Sequence, residues 1–147
     1  MDHESYSDAY LREILTVTKT IAIVGASPRP ERPSHRVMAC LQRHGYRAIP
    51  VNPNAAGDTI LGETCYASLA HVPEPIDMVD IFRRSQLAGP AVDAAIAAGA
   101  KVVWMQLDVR DDAAAARAEA HGVKVVMNRC PAIEIPRLGL EPISAAR

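Results

Sequence analysis

Five short apolar runs recur along the chain at intervals of roughly 25 residues: TIAIVGA, RAIPVNP, IDMVDIF, KVVWMQL and VKVVMN. Each is nearly continuous in Ile, Val and Met, without the polar alternation of a strand that has one wet face. That is the pattern of strands buried on both sides. Such strands need covering helices, and the intervening segments have the length and periodicity of helical crossovers. A parallel sheet follows from this rhythm alone.

The connecting helices have recognisable ends. Ser34 is expected to cap a helix whose Val37, Met38 and Leu41 share a face, with Gly45 as its stop. Gly89 and Pro90 fit the cap and first-turn positions of AVDAAIAA, ended by Gly99, and Asp111 fits the cap of DAAAARAEA, ended by Gly122. An N-terminal helix around residues 7–18 would bury Leu11, Ile14 and Leu15 beside Tyr10, and a short C-terminal helix would start near Pro131, with Pro136 kinking it or ending it early. Residues 52–75 are the least regular stretch, with one short helix candidate from Ser68, and long irregular loops of this kind are often functional. The 147 residues, 49% hydrophobic and 22% charged, suit one domain burying about two-thirds of its unfolded surface. The expected fold is therefore α/β: a single Rossmann-like domain over residues 1–147, with about five parallel strands and helices on both faces. Its expected parts are an N-terminal helix (1–19), a core (20–138) and a tail (139–147).

Composition excludes several classes of partner. A formal charge of -1 offers no bulk attraction for nucleic acid or an anionic membrane, and 4% aromatic residues leave no stacking platform for single strands. No apolar run approaches the roughly 20 residues of a membrane span, and the N-terminus lacks the pattern of a secretory signal, so a cytoplasmic location is expected. Cys40, Cys65 and Cys130 are odd in number and widely spaced, which argues against a disulfide framework or a zinc site. No metal is expected. A small molecule is the expected partner, with a homo-oligomer possible.

In an open parallel sheet, ligands bind beyond the carboxyl ends of the strands. Those ends are Gly25-Ala26-Ser27, Val51-Asn52-Pro53, Phe82-Arg83-Arg84, Gln106-Leu107-Asp108 and Asn128-Arg129-Cys130. A glycine turn into a helix lets backbone N–H groups and the Ser27 hydroxyl donate to phosphate, and Arg29, Arg32 and Arg36 add cations at the same place. Dinucleotide sites usually carry Asp or Glu at the end of the second strand to bind the ribose diol. Asn52 stands there. It either accommodates a phosphorylated ribose, as in NADP or coenzyme A, or simply shapes a turn with Pro53.

Together the stretches IAIVGASPRPERPSHRVMACLQRHGYRAIPVNP, ILGETCYASL, IDMVDIFRR, VVWMQLDV and VVMNRCPAIE resemble the small stand-alone CoA-binding domain proteins, the YccU-like group, across residues 20–138. That group shares the fold of the CoA-binding domain of the succinyl-CoA synthetase alpha subunit. The resemblance implies that CoA or an acyl-CoA is bound, with Gly25, Ala26 and Ser27 facing the pyrophosphate and Arg29 and Ser34 nearby. It implies that Val51, Asn52 and Pro53 line the adenosine. Phe82, Arg83 and Arg84 would contact phosphate or the pantetheine arm, with Gln106, Asn128 and Arg129 completing the edge. Asp108 departs from the glycine common at its position, and Pro136 interrupts an expected helix.

Catalytic candidates are sparse. Cys130 at a helix start could be a reactive thiol that pairs with the CoA thiol, or a small apolar residue beneath the site; Cys65 is a second candidate and Cys40 is expected in the core. Glu134 is a candidate base or a helix-capping residue. His35 would lie near the phosphates, His44, His71 and His121 fall at element ends, and His3 falls in the N-terminal tail; no Ser/His/Asp order appears. The ligase relatives implied by the resemblance carry a second domain with a phosphorylated histidine, which has no counterpart among these residues. The expectation is CoA or acyl-CoA binding without catalysis, for storage, sensing or thiol protection. The alternatives are an NADP-dependent oxidoreductase, for which no Tyr/Lys or His/Asp pair is recognisable, and a nucleotide-responsive regulatory module that binds a partner protein.

Overall fold

In the computed structural model, which describes residues 1–143, the chain runs through α1 (Asp8–Val17), β1 (Thr20–Val24), α2 (Pro33–Arg43), β2 (Arg47–Val51), β3 (Thr59–Ile60), β4 (Glu63–Thr64), β5 (Met78–Ile81), α3 (Ser85–Ala97), β6 (Val102–Met105), α4 (Asp112–Ala120), β7 (Lys124–Val126) and α5 (Pro131–Arg137). The five apolar runs form one parallel sheet in the order β2-β1-β5-β6-β7. The chain thus builds outward from β1 to one side and then to the other. Residues 144–147, part of the expected tail, lie outside the described residues.

Side chains alternate across the sheet. Ile21, Ile23, Met78, Val102, Trp104 and Val126 pack with Leu11, Ile14 and Leu15 of α1, Val37, Met38 and Leu41 of α2, and Ile135 of α5. Ala22, Val24, Val79, Ile81, Val103, Met105 and Val125 face the alanine-rich α3 and α4. This is the single Rossmann-like α/β domain that the strand pattern predicts, with both faces covered. None of the helices among the described residues is long and apolar enough to cross a membrane.

Several local expectations need correction. Ser34 does not cap α2: the helix begins at Pro33 with Arg32 as its cap, because proline suits a first position whose N–H has no helical partner. Ser34 Oγ instead accepts the Ser27 N–H at 3.1 Å. Helix α3 starts at Ser85, one turn earlier than expected, and carries Gly89 and Pro90 inside it. Packing overrides propensity here. Ala88, Gly89, Val92 and Ala95 form the buried stripe, and a Cβ on Gly89 would stand 3.3 Å from Asp111 Oδ2. Pro90 removes one helical donor, and the residue one turn earlier, Gln86, is exposed, so water can serve its carbonyl. Asp111 does cap α4, accepting the Ala114 N–H at 3.0 Å.

His3 is not in a free tail. Its ring is buried between the Tyr6 hydroxyl at 2.7 Å and Glu119 at 2.8 Å. Cys40 is partly exposed on α2, not core. The loop after β2 also holds a β3–β4 hairpin turned by Leu61 (φ 50°) and Gly62 (φ 83°), the two positive φ values of a tight hairpin turn. Gly62 was the available signal; leucine in that conformation concealed it.

Candidate functional site

Where the strand order reverses, between β1 and β5, the carboxyl edge opens into a cleft of about 890 Å³. Gly25 makes the opening possible. It has φ +89°, its N–H donates to Val51 O at 2.9 Å, and the Phe82 N–H donates to Val24 O at 2.8 Å. These bonds bring the turn so close to β5 that a Cβ on Gly25 would lie 2.3 Å from Phe82 O. Only glycine fits both the conformation and the space.

The turn is tied to α2 through Ser27 and Ser34. The Ser27 N–H is engaged by Ser34, and Ser27 Oγ accepts the Arg29 N–H at 3.1 Å. The Ser27 amide is thus engaged within the protein, while the hydroxyl still has a proton to donate. Around this turn stand Arg29, Arg32, Arg36, Arg83 and Arg84, and among the described residues Asp108 is the one carboxylate in the wall. Arg29 pairs with Glu31 at 2.9 Å and Arg36 donates to the Glu31 carbonyl at 2.6 Å. Among the described residues, Arg32, Arg83 and Arg84 have no ion-pair partner. A chain of net charge -1 therefore concentrates five guanidinium groups on one cleft. Guanidinium groups match phosphate oxygens in pairs.

Asn52 lines the cleft for a reason the sequence did not disclose. Its Nδ2 donates to Ala26 O at 2.8 Å, and its Oδ1 accepts the Asn54 N–H at 3.0 Å. A carboxylate could not make the first of these bonds, so the neutral amide is accounted for by the turn whatever the ligand. Ala26 and Val51 are buried behind the wall, and Pro53 starts a short turn outside it.

The wall at the ends of β5 and β6 mixes apolar and polar groups: Phe82, Leu107 and Val109 line it together with Gln106, Arg83, Arg84 and Asp108. Leu107 belongs to a strand end already marked by the sequence, whereas Val109 and Pro33 joined the cleft without a sequence signal of their own. Asp108 adopts φ +68°, a left-handed conformation that Asp tolerates better than most residues. That is the physical reason glycine suits this position. Asn128, also left-handed, accepts the Asp108 N–H on its Oδ1 at 2.7 Å and so braces the cleft from behind. Arg129 turns away, its guanidinium 5.2 Å from the Tyr6 ring centre and donating to Asn128 O.

The catalytic candidates stand apart. Cys130 is packed in the core at the start of α5, and Glu134 is buried in a 2.8 Å ion pair with Arg137; neither lines the cleft. Burial raises the Cys65 thiol above its ordinary value. Asp80, in the middle of β5 between Ile23 and Trp104, was missed altogether because it sits inside an apolar run. Both of its oxygens are buried without a hydrogen-bond partner among the described residues, and burial pushes its carboxyl well above the usual carboxylate range.

These features define a doubly wound α/β domain with an anion-attracting cleft at its switch point. The chain belongs to the CoA binding domain family, which residues 19–136 match. It is 38% identical over 124 residues to the uncharacterized protein YneT of Bacillus subtilis (strain 168), covering 84% of this chain and 90% of that one. A hypothetical protein from Pyrococcus horikoshii OT3 superposes with a TM-score of 0.87 at 42% identity, covering 94% of this chain and 99% of that one. The acetyl-coenzyme A synthetase 1 of Ca. Korarchaeum cryptofilum, solved with phosphate and ADP, matches with a TM-score of 0.65 at 25% identity over 77% of this chain but only 26% of its own.

Proposed function

We propose that this protein binds coenzyme A or an acyl-CoA along the carboxyl edge of its sheet and holds it without chemical turnover, as a store, a sensor or a guard for the thiol. The observation that carries the proposal is the cleft itself: five arginines gathered around a glycine turn that opens at the switch point. Family membership supports CoA as the ligand. The placement of Cys130 and Glu134 away from the wall supports binding over catalysis.

In this reading the phosphates lie against Ser27, Arg29, Arg32 and Arg36 on one side and Arg83 and Arg84 beyond β5 on the other, where guanidinium pairing offsets their charge. The test is calorimetric titration of the purified protein with CoA, acetyl-CoA and NADP under reducing conditions. Saturable binding of CoA or acetyl-CoA with weaker NADP binding is expected, without consumption of the thioester. Preference for NADP, or hydrolysis of acetyl-CoA that tracks the protein, would overturn the proposal.

A further inference from the structure

Gln106 is a buried residue, 7% exposed, that lines the cleft at the end of β6. Its backbone is fully engaged: the N–H donates to Ile81 O at 3.2 Å, and the carbonyl accepts the Val109 N–H at 2.9 Å. Its carboxamide is not, for Oε1 is shut from solvent and no donor among the described residues reaches it. Leaving such a group without a partner is costly, because it gives up its hydrogen bonds to water and gains none in return. Buried polar groups are almost always satisfied, so an exception in a cleft wall calls for an explanation.

The surroundings narrow the choice of partner. Phe82, Leu107 and Val109 give the wall beside Gln106 aliphatic and aromatic surface, with Arg83, Arg84 and Asp108 also at this edge, while Arg29, Arg32 and Arg36 belong to the turn after Gly25 and the start of α2. A phosphate would be drawn to the guanidinium groups and not to a neutral carboxamide. A carboxamide offers both a donor and an acceptor, and its two ends exchange by rotation of the last torsion. The matching ligand group is another amide on an otherwise aliphatic chain.

Distance agrees. Two strand spacings, about 10 Å, separate the ends of β1 and β6. At about 1.2 Å per extended bond, the two amide nitrogens of a pantetheine arm lie about 7 and 12 Å from the phosphorus. We infer that Gln106 recognises an amide of the pantetheine arm and thereby distinguishes CoA from nucleotides that carry the same phosphates without the arm. This inference rests on the proposed CoA binding.

The experiment titrates wild type, Gln106→Met and Gln106→Ala with CoA and with 3′-phosphoadenosine 5′-diphosphate, which keeps all the phosphates of CoA and lacks the arm. Both variants should bind CoA about tenfold more weakly, the equivalent of one hydrogen bond, and the arm-less nucleotide within twofold of wild type. Ligand-free Gln106→Met should melt no lower than wild type, because it removes an unpaired carbonyl while keeping the volume. Unchanged CoA affinity, or equal losses for both ligands, would overturn the inference while leaving CoA binding in place. A wild type that binds the arm-less nucleotide as tightly as CoA overturns the amide contact alone, and one that binds neither ligand overturns the proposed function with it.

Discussion

The hydroxyl of Tyr10 engages both hydrogen-bonding groups of Val125, donating to its carbonyl at 2.9 Å and accepting its N–H at 3.1 Å. Tyr6 does half as much for Met127, accepting its N–H at 2.8 Å. β7 is the outermost strand of the sheet, so two tyrosines from the N-terminal segment satisfy backbone groups that a neighbouring strand would otherwise serve. Tyr10→Phe is expected to lower stability by about 1–3 kcal/mol, since it leaves two partly buried groups unpaired. Burial pushes the Tyr10 hydroxyl up to about 12. Its contribution is therefore complete below the unfolded value near pH 10 and lost as pH rises to about 12. Urea unfolding of both proteins across that range should show the wild type converging on the variant.

Asp80 should make the fold sensitive to pH in the same direction at lower values. Its carboxyl is raised in the folded state, so its contribution is intact below about pH 4 and falls as pH rises toward the folded value, by about 1.4 kcal/mol per unit. Asp80→Asn does not titrate. Its stability relative to wild type should therefore grow from pH 4 upward, and parallel curves would refute a neutral buried carboxyl.

Gly25→Ala places a methyl group 2.3 Å from the Phe82 carbonyl oxygen at φ +89°. The strain and the overpacking together should cost roughly 2–5 kcal/mol. Because the two strands must part to admit the methyl group, anion binding should fall even in conditions where the variant remains folded. Circular dichroism alongside calorimetry separates the two effects.

Asp108→Gly should do the opposite. Glycine adopts φ +68° without strain, so stability should stay within about 1 kcal/mol of wild type. Loss of the one carboxylate in the wall should tighten binding of phosphate-bearing ligands. A weaker affinity would mean that this carboxylate contributes to recognition.

Cysteine labelling tests whether a mixed disulfide with CoA is feasible. Cys40 is partly exposed, while Cys65 and Cys130 are buried. A maleimide should modify Cys40 in the native protein and reach the other two only on unfolding, as mass spectrometry of the labelled peptides would reveal. Native labelling of Cys130 would restore it as a reactive thiol.

The sheet was legible in the sequence because a strand buried on both faces must be apolar throughout, whatever its neighbours, and five such runs leave few other folds. The glycine turn and its arginines were legible because their chemistry is local. Helix starts were less so: Pro33 displaced Ser34 from the cap, and burial of Ala88 and Gly89 drew α3 back to Ser85. What the sequence by itself determined was thus the parallel sheet and the place of a cleft along its carboxyl edge. Only the tertiary structure decided which polar groups are engaged within the protein. Asn52 is bound to Ala26, Arg129 turns toward Tyr6, and Gln106 Oε1 meets no donor among the described residues. Hydrogen-bond satisfaction depends on residues brought together from distant parts of the chain, so no local pattern records it.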